Sequence, residues 1–187
     1  ATTLASNSSD AVGNAIVISG TDIYVAGNEN NNGRIWKNGV AQTLNNATGF
    51  YISCIAVSGN NVFGAASDGS IIRTWKNEIA TDINIPSGSS AFVSGIAIND
   101  NDVYLCGWEY NGSLGIAKYW KNGVPVTLGD GIQSSRATAI AIKNNIVYIV
   151  GDVIKSGTGS SYATLWKNGT PATVGFANSS AMAIIVK

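Results

Sequence analysis

One short phrase recurs four times along the chain: Trp36-Lys37-Asn38-Gly39-Val40, Trp75-Lys76-Asn77-Glu78-Ile79, Trp120-Lys121-Asn122-Gly123-Val124 and Trp166-Lys167-Asn168-Gly169-Thr170. The copies stand 39 to 46 residues apart. A second phrase keeps step with it: Ile16-Val17-Ile18 with Ile23-Tyr24-Val25, Ile55-Ala56-Val57 with Val62-Phe63, Ile96-Ala97-Ile98 with Val103-Tyr104-Leu105, and Ile140-Ala141-Ile142 with Val147-Tyr148-Ile149. Two phrases locked in register at this period mean that one supersecondary unit is built four times, each copy burying its apolar face against a neighbour. The repeats run over approximately 12–50, 51–91, 92–135 and 136–180.

Each repeat contains four short runs rich in β-branched and aromatic residues, the residue types that fit a pleated, half-buried surface. In the third they are Ser94–Ile98, Val103–Cys106, Ile116–Trp120 and Val124–Leu128. The connections are turn chemistry. Asn99-Asp100-Asn101-Asp102, Ser58-Gly59-Asn60-Asn61 and Lys143-Asn144-Asn145 join the first two runs with residues that tolerate positive φ. Asn-Gly joins the last two, the strongest short hairpin signal. Glu78 stands where the other copies have Gly, so that turn is expected to differ in type. Sustained helical periodicity is absent. The pattern predicts an all-β chain: a β-propeller of four complete four-stranded antiparallel blades, in one domain spanning 1–187, with the short apolar run as each blade's innermost strand.

The Ile-Ala-Ile run, the turn and the Val-Tyr-Val-type strand resemble the β-propeller repeats of the NHL and related bacterial families. The repeats also resemble bacterial propellers built on Tyr-Trp-Lys-Asn-Gly. The resemblance covers nearly the whole chain and implies the fold; propellers host binding, scaffolding and enzymatic roles alike. Ser67-Asp68-Gly69-Ser70 leading to Trp75 is similar to the Asp-box hairpin of sialidase-type propellers, a structural element. Ala1–Leu4 matches a fourth strand and Ala183–Val186 a first strand. Surplus strands are therefore expected at 1–5 and 183–187, with possible association through them.

Composition narrows function. Charged residues make up 12%, about half the usual share, and 11 basic residues balance 11 acidic ones. This distribution offers no basic field for nucleic acid. An apolar run long enough for a transmembrane helix is also lacking, so membrane insertion is not expected. The chain has no His, which excludes His-based triads and the usual zinc sites. The acids are scattered, without a pair at spacing that suggests glycosidase chemistry. Neither catalytic residues, nor a metal site, nor a cofactor are expected. Cys54 and Cys106 read as buried thiols serving as small hydrophobes.

The four repeated Trp residues, Trp36, Trp75, Trp120 and Trp166, are expected to pack blade against blade, since a large aromatic at one place in every repeat serves packing. Stacking on sugar rings, as in lectin-type propellers, is the rival role. Arg34, Arg73 and Lys118, two residues before their Trp, are expected in cation–π contact with it. Trp108, Glu109 and Tyr110 differ. The other repeats have no aromatic there, and the segment is expected in the loop after the second strand, where function collects on rigid scaffolds. They are the candidate ligand-binding residues. The expected function is a non-catalytic extracellular or cell-surface binding or scaffold module, secreted by a bacterium, with a carbohydrate or protein partner. The alternatives are a carbohydrate-active hydrolase or lyase with carboxylates near the propeller axis, and a purely structural segment of a longer or engineered repeat array.

Overall fold

The structure is a computed structural model and describes residues 10–186. These residues form sixteen strands and no helix, and each repeat folds into one four-stranded antiparallel sheet in chain order. The chain groups into two compact units, divided between Asn84 and Ile85. The first holds β1 (Ala11–Ser19), β2 (Asp22–Glu29), β3 (Asn32–Lys37) and β4 (Val40–Gln42), then β5 (Cys54–Ser58), β6 (Asn61–Ser67), β7 (Ile71–Lys76) and β8 (Ile79–Asn84). The second holds β9 (Ser90–Asn99), β10 (Asp102–Tyr110), β11 (Gly115–Lys121) and β12 (Val124–Thr127), then β13 (Ser134–Lys143), β14 (Ile146–Ile154), β15 (Ser161–Lys167) and β16 (Thr170–Ala177).

The Lys-Asn phrase is a clamp. Asn38 donates its backbone N–H to Ile23 O at 2.8 Å, and its Oδ1 accepts the N–H of Ile23 at 2.8 Å. Asn77 with Val62, Asn122 with Val103 and Asn168 with Val147 make the same two bonds. One side chain thus fastens the β3–β4 type of hairpin to the start of the second strand. All four Asn have φ between 47° and 56°, the left-handed region that Asn tolerates. Gly39, Gly123 and Gly169 follow at φ 83–85°, whereas Glu78 is not left-handed, so the second turn does differ. The preceding lysine lies over the second-strand aromatic in every copy, 5.3–5.9 Å from the ring centre: Lys37 on Tyr24, Lys76 on Phe63, Lys121 on Tyr104, Lys167 on Tyr148.

First strands are longer than the apolar run predicts, and a β-bulge explains it. β9 and β10 shift register where Val93 pairs with Gly107 and Gly95 with Cys106, leaving Ser94 as the extra residue. Asn14 in β1 and Thr138 in β13 are bulged in the same way. The bulge drives a carbonyl toward the facing second strand. A Cβ at Gly27, Gly107 or Gly151 would overlap the carbonyl oxygen of Val12, Phe92 or Arg136. Pairing therefore continues only where that position is Gly. The second repeat has Ala66 there, and β5 is the shortest first strand, beginning at Cys54.

The four repeated Trp are buried, each at most 1% exposed. Within the first unit Trp75 packs edge-on to Phe50, ring centres 5.7 Å apart, among Ile35, Leu44 and Ile52, and its Nε1 donates to Asn45 O at 2.8 Å. Within the second, Trp166 joins Tyr104, Ala117 and Leu128. Trp75 and Trp166 are thus core shared by two successive sheets of their unit. The cations two residues upstream do not lie on their Trp. Arg34 pairs with Glu29 (3.2 Å), Lys118 pairs with Glu109 (2.8 Å), and Arg73 pairs with Asp82 (2.5 Å) while resting over Phe50 at 4.5 Å. The reason is strand geometry: the cross-strand neighbours of these cations carry carboxylates within reach. Cys54 and Cys106 are both buried, as expected.

The surplus strand expected at 183–187 is not a strand over its described residues, 183–186. The residues just before it nonetheless repeat contacts made ahead of earlier first strands. Ala181 donates to Gly151 O (3.3 Å) and its carbonyl accepts the Thr138 hydroxyl, as Ile52 donates to Gly27 O (3.3 Å) and accepts Asn14 Nδ2 (3.0 Å). Ser179 Oγ accepts the Ala163 N–H (3.0 Å) as Ser135 Oγ accepts that of Ala117 (2.9 Å). Ser179 and Ala181 thus repeat contacts that Ser135 and Ile52 make ahead of the first strands of other repeats. The expected strand at 1–5 lies outside the described residues.

Candidate functional site

Trp108, Glu109 and Tyr110 do not lie in a loop; they are the last three residues of β10. Gly107 permits this, because the bulge at Ser94 keeps β9 paired as far as Ser90 opposite Tyr110. Strand alternation then sends Trp108 and Tyr110 to one face and Glu109 to the other. Glu109 is buried and held by Lys118 at 2.8 Å, as Glu29 is held by Arg34 in the first repeat. It belongs to a repeated ion pair and points away from the aromatic face.

On that face Trp108 stacks on Phe92, directly across the ladder, with ring centres 5.2 Å apart and planes 21° from parallel. Arg136, from β13, places its guanidinium 5.5 Å from the Trp108 ring centre. Tyr110 donates its hydroxyl hydrogen to Gly112 O at 3.0 Å. This fixes the ring at the lip while leaving the phenolic oxygen able to accept. Asn111 Oδ1 accepts the N–H groups of Ser113 (3.1 Å) and Leu114 (2.9 Å) and holds the β10–β11 loop in an Asx turn. Together Phe92, Trp108, Tyr110, Ser113, Ser134 and Arg136 line a cleft of about 460 Å³. Phe92 and Tyr110 are 40% and 43% exposed.

The structure therefore brings together two of the three residues singled out in the sequence and adds Phe92 and Arg136. Phe92 and Arg136 stand at one structural position, the residue whose carbonyl faces the conserved-in-place glycine of the second strand; Val12 is its counterpart in the first repeat. Aligning the repeats on Gly27, Gly107 and Gly151 would have found them.

Two other clefts are smaller. One of about 200 Å³ in the first unit lies beside Lys37, Gln42, Asn60 and Asn77. One of about 270 Å³ in the second lies beside Asp130, Gln133, Lys155 and Tyr162. Asp130 there is occupied with the N–H groups of Gln133 and Ile132, which hold its carboxyl below the usual range. Among the described residues no cluster of His, Cys, Asp or Glu is arranged to hold a metal ion, and no helix is long and apolar enough to cross a membrane.

No protein-family model and no curated protein matches the chain. Among solved structures it is similar to two computationally designed proteins. One is Ika8, at 17% identity and a TM-score of 0.48, covering 92% of this chain and 64% of that one. The other is Ika4, at 18% identity and a TM-score of 0.48, covering 87% of this chain and 94% of that one. The chain thus spans under two thirds of the length of Ika8.

Proposed function

We propose that the four sheets are blades of a β-propeller and that the chain is a non-catalytic binding module, acting outside the cell and taking carbohydrate at the Trp108 cleft. The observation that carries the reading is asymmetry within repetition. Four repeats share their Trp, clamp and lysine–aromatic contacts, all used in building the sheets. Only the third carries Trp108, with Phe92 stacked on it. Aromatic faces flanked by hydroxyls suit a sugar ring, whose C–H face stacks while its hydroxyls find donors and acceptors. The buried carboxylate nearest the cleft, Glu109, is committed to Lys118 on the opposite face, which favours binding over hydrolysis.

A glycan array probed with the wild-type chain and with Trp108→Ala tests it. Binding that Trp108→Ala abolishes supports the reading. Binding that survives Trp108→Ala places the site elsewhere, and a protein partner captured in place of any glycan overturns the carbohydrate assignment. Small-angle scattering tests the propeller, since a closed disc and two separated units differ in maximum dimension.

A further inference from the structure

Resting on that reading, we propose that the sugar bound in the Trp108 cleft is acidic: its ring lies against Phe92 and Tyr110, and its carboxylate meets Arg136. The chain has three arginines. Two are neutralised, Arg34 by Glu29 and Arg73 by Asp82. Arg136 is exposed and has no carboxylate within ion-pair distance among the described residues; its guanidinium lies over Trp108 instead. The carboxylate opposite it across the ladder, Asp152, accepts the Ser180 hydroxyl at 3.0 Å. No carboxylate lines the cleft.

A guanidinium resting on an aromatic ring uses its π-face and keeps its in-plane N–H groups free. Those N–H groups form a fork that fits a carboxylate with two parallel bonds. The cleft therefore offers one fixed positive charge beside exposed aromatic surface and hydroxyls, in a chain of zero net charge. A neutral sugar would satisfy the rings and leave the fork unused. A hexuronate or a sialic-type sugar satisfies both. The ring surface is on Phe92 and Tyr110, and Trp108 orients the guanidinium from beneath.

The test is an array of uronate- and sialate-terminated glycans, each beside its methyl ester, with a sulfated counterpart as a further arm. The free acid is expected to bind at least about tenfold more tightly than its ester, as for a hydrogen bond to a charged group. Arg136→Gln should erase that preference while lowering the melting temperature by no more than about 2–4 °C, the loss of one exposed cation–π contact. Arg136→Lys, which keeps the charge and loses the fork, should fall between the two. Equal binding of acid and ester by the wild-type chain overturns the acidic assignment and leaves the cleft reading intact, provided Trp108→Ala abolishes both. Preference for the sulfate over the carboxylate overturns the carboxylate. Binding of no sugar, acidic or neutral, overturns both readings.

Discussion

At the scale of single residues, the repeated Trp and the unrepeated Trp do different work. Trp120 is 1% exposed, whereas Trp108 lies part-exposed at a cleft wall. Trp120→Ala is expected to cost about 3–5 kcal/mol, the range for truncating a buried large aromatic, read as a shift in urea midpoint. Trp108→Ala should cost clearly less, because the chief loss is one stacked pair, worth about 0.5–1.5 kcal/mol beyond its buried area. Equal losses would mean that Trp108 is core. Glycine gives a sharper case. Gly107→Ala would drive a methyl into the Phe92 carbonyl. Overpacking of this kind costs about 1–3 kcal/mol. The strain is relieved by unpairing β9 before Ser94, the state that Ala66 imposes on β5. Hydrogen exchange at residues 90–93 should then accelerate while residues 95–99 stay protected. Unchanged protection at 90–93 would refute the link between that glycine and the bulge.

At the scale of the element, turns and strand identities were legible in the sequence because they rest on local chemistry. Asn-Gly fixes a hairpin, and alternating Val, Ile and Tyr fix a strand. Strand length was not legible, because whether β9 reaches Ser90 depends on a bulge and on a glycine across the ladder. Trp108 and Tyr110 were found by failing to repeat. Phe92 and Arg136 were missed because they meet Trp108 only through pairing of β9 with β10 and packing of β13 beside them. Ala183–Val186 has the composition of a first strand, but a strand is a paired state and the segment pairs with no strand among the described residues. Ala181, two residues before it, is held by the bulge residue of the preceding strand ladder. Thr138 Oγ1 bonds both Val150 O (3.0 Å) and Ala181 O. Ser94 Oγ bonds Cys106 O (3.2 Å) and Ala137 O (2.6 Å) in the same way. Thr138→Ala should thus cost about 1 kcal/mol, the net worth of such a bond. It should speed amide exchange of Ala181 with the β13–β16 sheet unchanged. Loss of protection throughout that sheet would make Thr138 part of its core.

At the scale of the whole molecule, stability against pH follows from what titrates. The chain has no His, so no side chain of ordinary pKa changes charge between about pH 5 and 8, and stability should be flat there. On the acid side, Lys37 and Asn38 hold Asp22 below the usual carboxylate value of 3.8. Arg73 does the same for Asp82, and Lys121 with Asn122 for Asp102. A lowered carboxylate lends its stabilisation above the unfolded value and loses it as pH falls through the folded one, so the native state should weaken below about pH 4. On the alkaline side Cys106 contributes. Burial pushes its thiol from 9.0 up to about 12, against a smaller opposing pull from the Ser94 hydroxyl. A raised thiol contributes its stability in full below the unfolded value. Above about pH 9 the unfolded chain sheds that proton and the native chain keeps it, so unfolding gains about 1.4 kcal/mol per pH unit from this one group. Cys106→Ala should be less stable at pH 7, having lost a buried side chain, yet show a shallower decline between pH 9 and 11 than the wild type. Urea midpoints across that range measure both quantities. Parallel declines in the two proteins would show that Cys106 ionises in the native state as readily as in the unfolded one, and that the sheet around it opens to let it do so.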